Sequence, residues 1–96
     1  VPTWTATARF VQDYQSLSPD ERKRFKAAVR KFVQDLKAGK FRKSLRIQGI
    51  EGADGIFEMT WEHDGRATFQ YGSEIRRREP HIIWRRCGSH KIFEAP

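Results

Sequence analysis

Apolar residues recur along this chain with two different periods, and the period changes near the middle. In the first half Phe10, Val11, Tyr14 and Leu17 fall on one helical stripe, with Thr5 or Thr7 in place to cap its start. A second helix has a sharper beginning. Ser18-Pro19-Asp20-Glu21 sets a capping hydroxyl, a proline at the first helical position and a glutamate three residues after the cap. Phe25, Ala28, Val29, Phe32, Val33 and Leu36 then keep helical spacing, and Gly39 ends the run with Lys37 near the negative end of the helix dipole. The apolar stripe faces a core, while Arg22, Lys23, Lys26, Arg30 and Lys31 face solvent.

The second half alternates with a period of two. Phe57, Met59 and Trp61 are interleaved with Glu58, Thr60 and Glu62, the pattern of a half-buried strand; Ala67, Phe69 and Tyr71 against Arg66, Thr68 and Gln70 predict its partner. A three-residue loop with Gly65 left-handed pairs Trp61 with Ala67, Met59 with Phe69 and Phe57 with Tyr71. That register keeps apolar and polar faces apart, whereas a two-residue turn mixes them. A third strand is predicted from His81 to Cys87, and Phe41 to Ile50 reads as either a short strand or an extended approach. The sum is an α+β fold, two N-terminal helices packed on one face of a small antiparallel sheet, as a single domain over residues 1–96.

Composition narrows the class. Of 96 residues 38% are apolar, enough for one small core without disulfides. No apolar run is long enough to span a membrane, and no basic start precedes an apolar h-region. The lone Cys87 forms no internal disulfide and no ligand cluster, which points to a reducing cytoplasm. Charge says more. The net +7 is uneven: eleven basic residues stand against one acid from Arg22 to Arg46, and six against one from Arg76 to Lys91, whereas from Ile47 to Glu74 six acids face Arg66 alone. Two basic blocks around an acidic middle suit a polyanionic partner. Phosphate-cradling glycine loops, zinc-ligand spacings and serine-nucleophile elbows are all missing.

The order of elements, with Ser44-Leu45-Arg46-Ile47, Phe57-Glu58-Met59-Thr60-Trp61, Gly65-Arg66-Ala67-Thr68-Phe69 and Ile82-Ile83-Trp84-Arg85-Arg86-Cys87-Gly88-Ser89-His90, resembles the RelE/ParE superfamily of toxins from bacterial type II toxin–antitoxin modules. The likeness runs over nearly the whole chain in short motifs, and Gly88-Ser89-His90 is similar to the Gly-Thr-His segment of the YafQ branch. The resemblance implies a metal-free, cofactor-free endoribonuclease acting on messenger RNA on the ribosome, with an acidic, partly disordered antitoxin as partner. It places the family's strand-opening arginine at Arg66, its catalytic histidine at His90 and its base-stacking ring at Phe93, one position short of the YafQ spacing. The second-strand lysines of the RelE branch do not recur. Two alternatives remain: a ParE-like inhibitor of DNA gyrase, or an inactive RNA- or ribosome-binding module.

Metal-free RNA cleavage needs a base for the 2′-hydroxyl, an acid for the departing 5′-oxygen and a cation for the charged phosphorane. His90 is the candidate acid, since a histidine near its ordinary pKa of about 6.5 populates both forms at neutral pH. Arg66 and Arg86 are candidates to hold the phosphate through forked hydrogen bonds. Glu58, on the same sheet face as Arg66, is the candidate base, with His63 in reserve. Arg66 can instead pair with Glu62 across the hairpin, a contact worth about 0–1 kcal/mol. Lys40, Arg42, Lys43 and Arg46 form a basic approach for backbone phosphates. Arg85 and Arg86, on opposite faces of one strand, offer at most one side chain to the site and the other to binding. Lys91 and Phe93 complete the RNA-binding set. His81 and Cys87 read as structural.

Overall fold

A computed structural model describes residues 1–96. The order is β1 (Thr3–Ala6), α1 (Ala8–Ser16), α2 (Pro19–Ala38), a 3-10 turn (Lys43–Leu45), β2 (Gln48–Ile50), β3 (Ala53–Thr60), β4 (Arg66–Gly72), β5 (His81–Gly88) and a C-terminal 3-10 turn (His90–Glu94). The five strands form one sheet in the order β1-β5-β4-β3-β2. The α+β arrangement expected from the sequence is present, with one addition. Strand β1 joins the otherwise antiparallel sheet in parallel to β5, so the sheet is mixed.

Both helices start as their sequences require. Thr7, not Thr5, caps α1, its Oγ1 accepting from the amide of Phe10 at 3.1 Å. At α2 the amide of Glu21 donates to Ser18 Oγ (3.1 Å) and the amide of Ser18 donates to Glu21 Oε1 (2.8 Å), a closed capping box. Gly39 ends the helix at φ 83°. The stripe of α2 buries Phe25, Ala28 and Phe32 against the sheet. There Phe32 meets Phe69 with ring centroids 5.0 Å apart, and Phe25 meets Trp61 and Trp84, both at 5.8 Å. Such aromatic pairs add about 0.5–1.5 kcal/mol each beyond the area they bury. Met59, Ala67 and Phe69 form the sheet's side of this core and are wholly enclosed.

Strands β3 and β4 face as expected, but their register is shifted by two residues. Phe57 lies opposite Phe69, Met59 opposite Ala67 and Thr60 opposite Arg66. Glu62 therefore faces no strand partner, and the turn closes through Gly65 N–H to the Glu62 carbonyl and Trp61 N–H to the Gly65 carbonyl. Because side chains alternate with period two, registers two apart sort the faces equally well. Gly65 is not left-handed; the glycines with positive φ are Gly39, Gly52 and Gly55. What it supplies is room, since a Cβ there would sit 2.5 Å from Glu62 Cγ and 2.6 Å from the Trp61 ring.

Strand β5 breaks alternation. Ile82, Trp84 and Cys87 are all buried, a spacing that a regular strand cannot turn to one face. A bulge resolves it: Thr68 pairs with Arg86 and Phe69 with Trp84, leaving Arg85 as the extra residue. The two arginines are consequently not divided between opposite faces. Both reach the C-terminal segment, Arg85 Nη2 donating to the Pro96 carbonyl (3.3 Å) and Arg86 Nη1 to that of Ala95 (2.9 Å). Thr68, on the face turned away from the helices, is completely buried, so that face is closed at its β4–β5 end. His81 is structural: its ring nitrogens lie 2.7 Å from Thr3 Oγ1 and 3.2 Å from Thr5 Oγ1 of the neighbouring β1.

Candidate active site

The β3–β4 turn and the end of β5 bring together residues far apart in sequence. The Nδ1 of His90 lies 2.8 Å from Asp64 Oδ1, and the His90 amide donates to the same oxygen at 3.4 Å. A carboxylate can only accept, so the proton of the neutral ring sits on Nδ1 and the Nε2 lone pair is left free. Asp64 is held below the ordinary carboxylate range, first by its hydrogen bond from His90 and further by the charge of Arg66. Both side chains remain more than half exposed, so a large substrate can reach them. Ser89 fixes the approach, its Oγ capping the amide of Lys91 at 3.2 Å.

Arg66 opens β4 beneath this pair. One nitrogen, Nη1, donates to the carbonyls of Glu62 (3.3 Å), His63 (3.2 Å) and Gly65 (3.0 Å), so the guanidinium ties down the turn that carries Asp64. Its Nε and Nη2 carry no protein hydrogen bond. The ladder places Glu58 opposite Thr68, one position diagonal to Arg66 and on the same face, as the alternation predicts. There it accepts from Gln48 Nε2 at 2.9 Å, and no hydrogen bond joins it to His90 or Arg66.

Arg86 is differently placed from what the sequence suggested. Its Nε and Nη2 grip the carboxylate of Asp13 on α1 (2.7 and 3.2 Å), and Nη1 holds the Ala95 carbonyl, so no arm is left for a phosphate. Asp13 also accepts the Cys87 amide (3.2 Å), and the three groups brace α1 against β5. Arg85 is shared between Gln70 Oε1 (2.6 Å) and the Pro96 carbonyl. The thiol of Cys87 is pushed up to about 12 by burial and by the nearby Asp13, and is not a nucleophile. Lys91 is exposed on the C-terminal turn, and Phe93 beside it is half-buried.

The basic approach is divided as well. Arg42 is spent within the fold: its amide, Nε and Nη2 all donate to the carboxylate of Asp35 at 2.8–2.9 Å, which lowers Asp35 to about 2. This clamp ties the end of α2 to the turn that displays Lys43 and Arg46, both exposed. Sequence reasoning missed Asp64, whose place before Gly65 marked it only as a turn residue. No three His, Cys, Asp or Glu side chains converge as a metal site would require, and no helix is long and apolar enough to cross a membrane.

The larger cavity lies elsewhere. A groove of about 710 Å³ runs between β1, α1 and α2 over a floor of Ile82 and Trp84. Trp4, 66% exposed, and Val29, Val33 and Leu36 of α2 form its apolar walls, with Lys26 and Arg30 at its rim.

This architecture, two helices over a mixed five-stranded sheet, is the fold shared by solved RelE, YafQ and YoeB/ParE toxins. Among solved structures the chain is similar to a YoeB/ParE toxin from Agrobacterium tumefaciens (TM-score 0.67, 12% identity, 92% of this chain and 98% of that one). It is also similar to YafQ of E. coli BL21(DE3) (0.64, 9%, 97% and 98%). A chain of the RelB–RelE antitoxin–toxin complex of Methanococcus jannaschii matches too (0.63, 18%, 93% of each). Searches with the sequence alone match no family model and no curated protein. At these identities the likeness is one of fold.

Proposed function

We propose that this chain is the toxin of a type II toxin–antitoxin module and an endoribonuclease that cuts messenger RNA on the ribosome, in the cytoplasm, from a single domain. The observation that carries the nuclease reading is the His90–Asp64 pair beside the two free nitrogens of Arg66. The 2′-hydroxyl of the substrate attacks the adjacent phosphorus and loses its proton. The 5′-oxygen leaves and takes up a proton, and the product carries a 2′,3′-cyclic phosphate. His90 Nε2 is the exchanging atom: the imidazolium gives its Nε2 proton to the 5′-oxygen and is left as the neutral ring protonated on Nδ1, which Asp64 holds in place. Arg66 stabilises the phosphorane through Nε and Nη2. Glu58 is the base toward the 2′-hydroxyl. Lys43, Arg46, Lys91 and Phe93 hold the RNA around the site, and Arg85 joins them where the C-terminal segment leaves it free. Arg86 belongs to the brace on Asp13 and takes no part.

The partner is an acidic antitoxin, as the neighbours solved as toxin–antitoxin complexes from M. jannaschii and E. coli suggest. Its amphipathic segment lies in the apolar groove, apolar residues against Trp4 and Val33 and acids toward Lys26 and Arg30. The deciding experiment is induced expression in a bacterial host with primer-extension mapping of cuts on a reporter transcript, wild type beside His90→Ala. Cuts in the translated region that vanish in the variant support the nuclease. Growth arrest without cuts moves the reading to a gyrase-directed toxin; neither cuts nor arrest leaves a binding module.

A further inference from the structure

Beside the hairpin tip, on the helix side of the sheet, lies a second cleft of about 510 Å³ whose character is opposite to that of the apolar groove. Its floor is the face of α2 where Ala27 and Ala28 leave space between Arg24 and Lys31. Those two cations are seven residues apart, about 10 Å along the helix. The facing wall carries Arg46, and His63 closes the end nearest the tip.

Two details distinguish this cleft from a merely solvated charged surface. Arg46 holds φ 49°, one of two non-glycine residues in the left-handed region. A conformation of that kind crowds the Cβ against the backbone and persists only where its surroundings impose it. Here buried Leu45 on one side and the Arg42–Asp35 clamp behind the turn impose it, and the result is a guanidinium in the wall of the cleft. The second detail is position. His63 lines the cleft while its neighbour Asp64 holds His90, so cleft and dyad share one turn.

We propose that this cleft binds the backbone phosphates of the RNA next to the scissile position, with Lys31 and Arg46 as its phosphate-binding residues; the assignment rests on the nuclease reading above. Trp61 is buried and His63, at the tip end, is the one exposed ring in the lining, so the cations dominate and take the backbone. Arg24 is partly neutralised by its ion pair with Glu62, and an entering phosphate competes with that carboxylate for the guanidinium. Glu62 therefore sets how tightly the cleft holds RNA.

The test is binding of a 2′-O-methyl single-stranded oligonucleotide, which cannot be cleaved because it lacks a free 2′-hydroxyl, titrated across salt concentrations. Lys31→Gln with Arg46→Gln is compared with Lys23→Gln and Lys37→Gln, which remove the same charge from exposed sites on α2 outside the cleft. The cleft pair is expected to weaken binding and lower the slope of log affinity against log salt by about 1.4, since each lost phosphate contact on a single strand accounts for about 0.7. Glu62→Gln is expected to tighten binding more than Glu51→Gln, a charge-matched change at the β2–β3 turn. Equal losses in the two lysine and arginine pairs would overturn the proposal, as would equal gains in the two glutamine variants. So would a cleft pair that binds oligonucleotide normally but loses an acidic antitoxin. Binding of the uncleavable strand does not depend on His90, so this result and the cleavage map fail independently.

Discussion

The groove beside β1 and the cleft beside the hairpin tip lie against the same helix, α2, and differ in nearly every other respect. The groove is walled by Trp4, Val29, Val33 and Leu36, with charge only at its rim. The cleft is walled by Arg24, Lys31 and Arg46 over two alanines. Burial of apolar area is non-directional and grows with contact, so the groove suits a peptide segment that leaves slowly. Cations placed around a narrow floor suit a polyanion whose grip weakens with salt. One helix can serve both because its stripes are set 100° per residue apart, so Val29 and Lys31 need not compete for the same face.

Perturbations can separate the two regions. The largest expected effect is His90→Ala, about 10²–10⁴-fold in cleavage rate, with thermal unfolding and antitoxin capture unchanged, measured on a transcript under translation by purified ribosomes. Asp64→Asn should lose less, because the ring keeps a neighbour but not a carboxylate to support its charge. Next comes the groove: Trp4→Ala should weaken antitoxin binding about 30-fold, the range of an aromatic anchor worth about 2 kcal/mol, while cleavage by the free protein stays at wild-type rate. An equal fall in cleavage would show that the regions are coupled. Asp35→Asn should act on the cleft side alone, lowering oligonucleotide affinity by releasing the turn that carries Arg46. It also has a pH signature. Asp35 is depressed in the folded protein to about 2, so its stabilisation is fully present above its ordinary value of 3.8 and is lost as pH falls through about 2. The difference in unfolding midpoint between Asp35→Asn and wild type should therefore be constant at neutral pH and shrink across that acid window. The smallest effect is Ser18→Ala, about 1 kcal/mol of stability from the broken capping box, shared by both regions and visible in urea unfolding.

Legibility in the sequence followed the range of the interaction. Helix α2 could be read almost to the residue because its cap, its stripe and its terminal glycine are local. The hairpin's faces were legible and its register was not, since the two-residue period that sorts Met59 from Glu58 repeats at every shift of two. The bulge had a trace, the spacing of Ile82, Trp84 and Cys87, yet its purpose shows only when all three are found inside. Strand β1 left almost none, being four residues that pair with a strand 78 positions away. The candidate site divides the same way. His90 and Arg66 were visible through resemblance and Glu58 through alternation, while the partners that decide what each residue does are non-local. Asp64 orients His90, and Asp13 withdraws Arg86.

Strand β1 has a consequence for how the molecule is made. It comes first in the order of elements, ahead of both helices, yet its place in the sheet is beside β5, 78 positions later. Contacts so distant in sequence form late, because the loop between them must close first. The same holds for Asp13, which waits for Arg86, and for Asp64, which waits for His90. A nascent chain that has not yet reached residues 81–90 has neither a floor for the groove nor a histidine for the dyad. Both features thus wait for residues 81–90, and a chain interrupted before them has neither.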